Sequence, residues 1–128
     1  MDIFYILIFL FIKHWYVDFV VQTMQEINEK GTYFKLHGIK HSLKQGIGTA
    51  IALAIMHVDP VLGAVLAVID FILHYHIDWA KMNLNKYFKL SFNDQGYWTL
   101  MGLDQLLHSL TYVFIAWAAL SVTITSHV

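Results

Sequence analysis

The chain is 128 residues long, room for one domain, and 58% of it is hydrophobic while 13% is charged, against roughly 45–50% and 25% in soluble domains. With a mean hydropathy of +0.55, that composition points to a membrane protein. The absence of Cys excludes disulfides, thiolate metal sites and Cys nucleophiles, and a net charge of −1 by itself selects no partner.

A single Pro and 7 Gly punctuate the chain, so helices dominate the reading. The first predicted helix runs from about Ile3 to Asn28. Residues 3–12 are apolar on every face, and the second half carries Lys13, His14, Asp18 and Gln22 before Gly31 supplies a stop. The second runs from about Leu36 to His57, polar first (His37, Lys40, His41, Lys44) and apolar after. Asp59-Pro60 reads as the N-cap and first-turn Pro of the third. That helix is apolar over 61–69 and then bears Asp70, His74, His76, Asp78 and Lys81. Residues 82–96 mix Lys and Asn with aromatics, as interfacial segments do, and Asn93, Asp94 and Gly96 suggest a turn. The fourth runs from about Tyr97 to Thr125, with Asp104 and His108 early and an uncharged stretch over 109–126.

Each helix carries two metal-type ligands four residues apart: His14/Asp18, His37/His41, His74/Asp78 and Asp104/His108. That spacing is one turn, so each pair projects from one face. Laid up-down-up-down, as short connections favour, all four pairs fall at one end of an antiparallel four-helix transmembrane bundle. The whole chain, 1–128, is then a single integral-membrane domain. Three helices lack an unbroken apolar run of 18, and the interruptions are the ligand residues themselves, which are costly in a membrane and functional by default. The basic residues are all Lys, at 13, 30, 35, 40, 44, 81, 86 and 89, in or near the ligand end. The positive-inside rule places that end in the cytoplasm and both termini outside. No cleavable signal peptide, repeat or linker is evident.

Eight His and Asp ligands without thiolates suit zinc, manganese or iron(II), as one or two divalent ions. Two ions would share carboxylates; with one, the remaining residues would orient its ligands. Asp70 extends the third helix's stripe one turn deeper, His76 points elsewhere, and His57 and His127 lie at the apolar end. Lys30 and Lys81 are placed to meet a phosphate, although lysines at a membrane surface need no such role. Gln22 and Gln105 are candidate substrate contacts. Trp15, Tyr16, Trp79, Tyr97 and Trp98 fit an interfacial belt. No phosphate loop, dinucleotide fingerprint, nucleophile elbow or nucleic-acid motif is present.

Taken in order, His14-x-x-x-Asp18-Phe19-x-x-Gln22-Thr23, Lys30, His37-x-x-x-His41, His74-x-x-x-Asp78-x-x-Lys81 and Asp104-Gln105-x-x-His108 resemble a family of small membrane proteins from bacteria and phages. That family is catalogued as a domain of unknown function, and the likeness covers nearly the whole chain. A looser likeness, to the inner-membrane metal-dependent hydrolases, rests on the His-x-x-x-Asp motif. The first implies the ligand set and the second suggests hydrolysis. The expectation is therefore a metal-dependent hydrolase of the inner membrane or its equivalent, using metal-activated water on an anionic phosphoester or lipid headgroup. Asp18 and Asp104 would be the acid–base or bridging carboxylates, and Lys81 would meet substrate charge. The competing readings are a metal that only staples the helices, passage of divalent metal or protons, and haem ligation, which the neighbouring Asp residues disfavour. A soluble bundle would need partners to cover residues 3–12 and 109–126. Membrane lipid and an anionic substrate are the expected partners, with homo-oligomerisation left open.

Overall fold

The computed structural model describes residues 2–125, and His127 lies outside them. The described residues are all-α: α1 (Ile3–Trp15) running into a π-helical turn (Tyr16–Val20), then α2 (Met24–Glu29), α3 (Leu36–Ile55), α4 (Pro60–Tyr87) and α5 (Gln95–Thr125). Five helices replace the four expected because the first rod breaks. Thr23 takes an extended conformation, and its hydroxyl accepts from the Glu26 backbone while the Glu26 carboxylate accepts from the Thr23 backbone. This reciprocal cap ends one helix and starts another. α4 runs six residues past Lys81, so part of the interfacial segment is helical. Asp59 caps α4 through Val61 and Leu62, with Pro60 in its first turn, as its sequence implies.

Start of α1, end of α3, start of α4 and end of α5 share one apolar cluster, in which Ile6, Leu10, Leu53, Leu66, Ile115 and Ala119 are buried. Successive long helices therefore run antiparallel. At the other end Asp18, His41, Asp70, His74, Asp78, Asp104 and His108 are buried, while along the whole length of the helices apolar side chains such as Phe4, Ile8, Ile12, Ile51, Val65, Val68, Leu106 and Phe114 face outward. Water gives no reason to expose that surface, whereas hydrocarbon does. By length and composition three segments can cross a membrane: Ile3–Val20, Pro60–Tyr87 and Gln95–Thr125. α3 is long enough at 20 residues, but His37, Lys40, His41, Lys44 and Gln45 lower its hydropathy.

Close helix approach is built on small residues. A Cβ on Gly46 would stand 3.1 Å from the Ala67 carbonyl oxygen of α4. One on Gly38 would stand 3.0 Å from the Glu29 carbonyl oxygen, so α2 lies directly on the first turn of α3 and closes the polar end.

Candidate metal centre

The π-turn holds Asp18, and the other long helices bring their ligand faces to it. His41 Nε2, His74 Nε2 and Asp78 Oδ2 form a triangle with edges of 3.1, 3.2 and 3.2 Å. Asp18 Oδ1 stands 3.1 Å from His41 Nε2 and 3.5 Å from His74 Nε2. Two ligands about 2.0–2.1 Å from a zinc-like ion at the tetrahedral angle stand roughly 3.3 Å apart, so the spacing suits one ion among them. Asp78 turns its other oxygen to His108 Nε2 at 3.3 Å, and His108 in turn lies 3.4 Å from Asp104 Oδ1. Asp18 turns Oδ2 to His14 Nε2 at 3.4 Å. The three groups that could hold an ion are thus His41/His74/Asp78, Asp78/Asp104/His108 and His14/Asp18/His74, each with ligand atoms within 4.8 Å of one another.

Hydrogen bonding among the described residues leaves Asp78 Oδ2 and Asp104 Oδ1 without a partner although both are buried, along with Nδ1 of His41 and His74. The imidazole nitrogens near those oxygens are close but not aligned to donate. A buried carboxylate oxygen in that condition is costly, and a cation would relieve it.

The hydrogen bonds around His14 form a chain from Lys13 to Asp104. The Lys13 ammonium only donates, and it reaches Gln45 Oε1 (2.8 Å), Asp70 Oδ2 (2.9 Å) and the Tyr112 hydroxyl (3.2 Å). The Tyr112 hydroxyl also lies 2.8 Å from His14 Nδ1, and the tautomer of His14 sets which of the two donates. His14 Nε2 lies 2.9 Å from Gln105 Oε1, which accepts where Nε2 holds the ring proton. The Gln105 amide is oriented by its nitrogen, which donates to Asp104 Oδ2 at 2.9 Å. With the ring proton on Nε2, His14 would be held by Gln105 beside the Asp18 carboxylate; without it, the Nε2 lone pair could complete the His14/Asp18/His74 group. Gln45 Nε2 also donates to Asp18 Oδ1, at 2.7 Å.

Seven of the eight expected ligands are buried together (His14, Asp18, His41, His74, Asp78, Asp104 and His108). His37 is not among the groups. It is half-buried beside α2, and its backbone N–H donates to Glu29 Oε2 at 2.7 Å. Asp70 is the counter-ion of Lys13 at 2.9 Å and accepts from Thr49, a turn below the cluster. Lys30 and Lys81 are buried against it, 3.5 Å from Asp78 Oδ2 and 3.0 Å from Asp104 Oδ2. Gln22 sits in the break, not on the α1 face; its amide donates to the freed Asp18 carbonyl at 2.7 Å and its oxygen accepts from Lys30. His76 meets the Tyr33 hydroxyl at 2.9 Å on an outer face, and His57 is exposed.

Glu26 is the ligand-end carboxylate that the sequence reading passed over. Its Oε2 stands 3.6 Å from the His41 Nδ1 left unpartnered by hydrogen bonding, and Lys44 pairs with its other oxygen. Burial pushes the Glu26 carboxyl up, but Lys44 and the Thr23 backbone outweigh it and hold the group below the usual glutamate range. The Thr23-x-x-Glu26 spacing is a capping-box signature and could have found it. Gln45, Thr49 and Tyr112 follow His41 and His108 at four-residue steps, so extending each stripe by a turn or two would have found them as well.

Fold and site together define an α-helical protein with three potential membrane spans and a buried His/Asp cluster of metal-ligand geometry. Residues 6–128 match the family described as protein of unknown function (DUF3307), and the chain belongs to that family. Neither a curated protein nor a solved structure matches it.

Proposed function

We propose that this is an integral membrane protein that binds one or two divalent cations at the His/Asp cluster and hydrolyses an anionic ester at the cytoplasmic face. The observation that carries the reading is the 3.1–3.2 Å triangle of His41, His74 and Asp78, with Asp18 at its fourth corner. Asp78, presenting one oxygen to each of two groups, is the carboxylate through which two ions would be shared. A bound divalent ion would supply activated water. The protein's own groups account for the rest of the hydrolysis. With an ion at the His41/His74/Asp78 group alone, Asp104 Oδ1, which has no hydrogen-bond partner among the described residues, would take the proton of a water attacking the ester phosphorus and pass it to the leaving alkoxide as the bond to the leaving oxygen breaks. Lys81, 3.0 Å from Asp104, offsets charge on the substrate. A non-enzymatic staple is the second reading, supported by the complete burial of His41, His74 and Asp78, since structural sites are closed. Passage of ions through the bundle fits poorly, because the cluster is followed by the apolar layer of Ile6, Leu10, Leu53 and Ile115.

Elemental analysis of detergent-purified protein tests the site. One or two equivalents of zinc, manganese or iron are expected, with occupancy falling more than tenfold in His41→Ala and His74→Ala, while His14→Ala and His37→Ala stay within about the tenfold span of an indirect effect. Protein free of stoichiometric metal, or His74→Ala with unchanged content, would refute the centre.

A further inference from the structure

A cavity of about 350 Å³ lies between α2, the end of α4 and the start of α5, and Lys30, Lys81, Gln22, Asn85, Leu90 and Met101 are among its lining residues. Its wall has two chemistries. It includes the ammonium-bearing side chains of Lys30 and Lys81, each buried and each already touching a carboxylate of the candidate metal centre. It also includes the apolar Ile27, Met82, Leu90 and Met101. Asn85 lines it too, and its Oδ1 is buried without a hydrogen-bond partner among the described residues.

Buried ammonium groups are tolerated where negative charge meets them. Asp18, Asp78 and Asp104 outnumber Lys30 and Lys81 by one carboxylate, so a single divalent ion in the cluster turns the local balance positive. An anion entering the cavity would then be held by the two lysines next to the ion, and Asn85 would accept from a hydroxyl on the same molecule. The apolar part of the lining suits a hydrocarbon segment. The segment that supplies Leu90 and Tyr97 to the lining also carries exposed Phe88, Phe92 and Trp98, side chains of the bilayer interface.

We infer that this cavity binds the headgroup of an anionic phospholipid, with its phosphate at Lys30 and Lys81, a headgroup hydroxyl at Asn85 and the start of its tail along Leu90 and Met101. Its place as the substrate pocket rests on the proposed metal centre. The test is native mass spectrometry of the full chain in detergent with added phosphatidylglycerol, phosphatidylcholine or inorganic phosphate, metal content being measured on the same sample. Phosphatidylglycerol should be retained roughly tenfold over phosphatidylcholine, the scale of one or two charge-assisted hydrogen bonds. The preference should vanish when Lys30 and Lys81 are both changed to Ala. Met101→Trp, which leaves the charges in place, should release the lipid without altering the fold seen by circular dichroism. It decides the matter if the double lysine variant does not fold. Equal retention of the two lipids, retention unaffected by Met101→Trp, or full displacement by millimolar inorganic phosphate overturns the assignment. Lipid preference in metal-free protein would sink the metal centre and leave the pocket standing; bound metal with no lipid preference would do the reverse.

Discussion

Lys13 shows how one side chain is made tolerable deep among helices. Its ammonium has three protons and three acceptors, on Gln45, Asp70 and Tyr112, and it also lies 4.4 Å from the Tyr112 ring centroid. Its stem rests where Gly48 has no side chain, since a Cβ there would collide with Lys13 Cγ and Cδ. Removing one charge of the pair strands the other. Asp70→Ala is therefore expected to destabilise by about 3–5 kcal/mol, and Lys13→Met/Asp70→Leu by considerably less. Thermal unfolding in detergent measures the difference, and equal losses would show that the pair does not set the cost. Because Tyr112 links Lys13 to His14, the same pair orients a ring next to the candidate metal centre.

At the level of helices, the decisive feature is the break between the π-turn and α2. π-turns often mark functional positions, and here Asp18 lies inside one. The following reversal brings Glu26 to His41 and Lys30 to Asp78, contacts that a continuous rod would have carried away from the bundle. Thr23→Ala removes one arm of the cap and should cost about 1 kcal/mol. It should also lower metal occupancy in the same elemental assay by loosening Glu26 from His41. An unchanged melting temperature in Thr23→Ala would mean that packing of α2 on Gly38, and not the cap, holds the break.

For the whole molecule the governing fact is an apolar outer surface over an interior that is apolar at one end and polar at the other. Every Lys lies at or toward the end that holds the His/Asp cluster, and the positive-inside rule makes a cytoplasmic orientation of that end the expectation to test. The absence of native Cys makes the orientation directly measurable. In spheroplasts, Asp59→Cys is expected to react with a membrane-impermeant maleimide, and Asn93→Cys only after lysis. The opposite pattern would turn the protein over and put the cluster outside.

Much of this was legible before any coordinates. Period-four spacing of His and Asp in apolar helices determined which faces turn inward, because a charge or an imidazole cannot be left in hydrocarbon. Asp59-Pro60 announced the start of α4. The sequence alone therefore indicated an all-α chain of membrane composition with its paired His and Asp residues at one end. It did not separate His37, in phase with His41, from the residues that converge, because α2 covers that turn. Nor did it show that the His14 ring, beside Asp18, also meets Gln105 and Tyr112. Such distinctions depend on which helix lies across which turn and on which side chain meets which ring. Those are properties of packing between distant segments, and only the tertiary structure decides them.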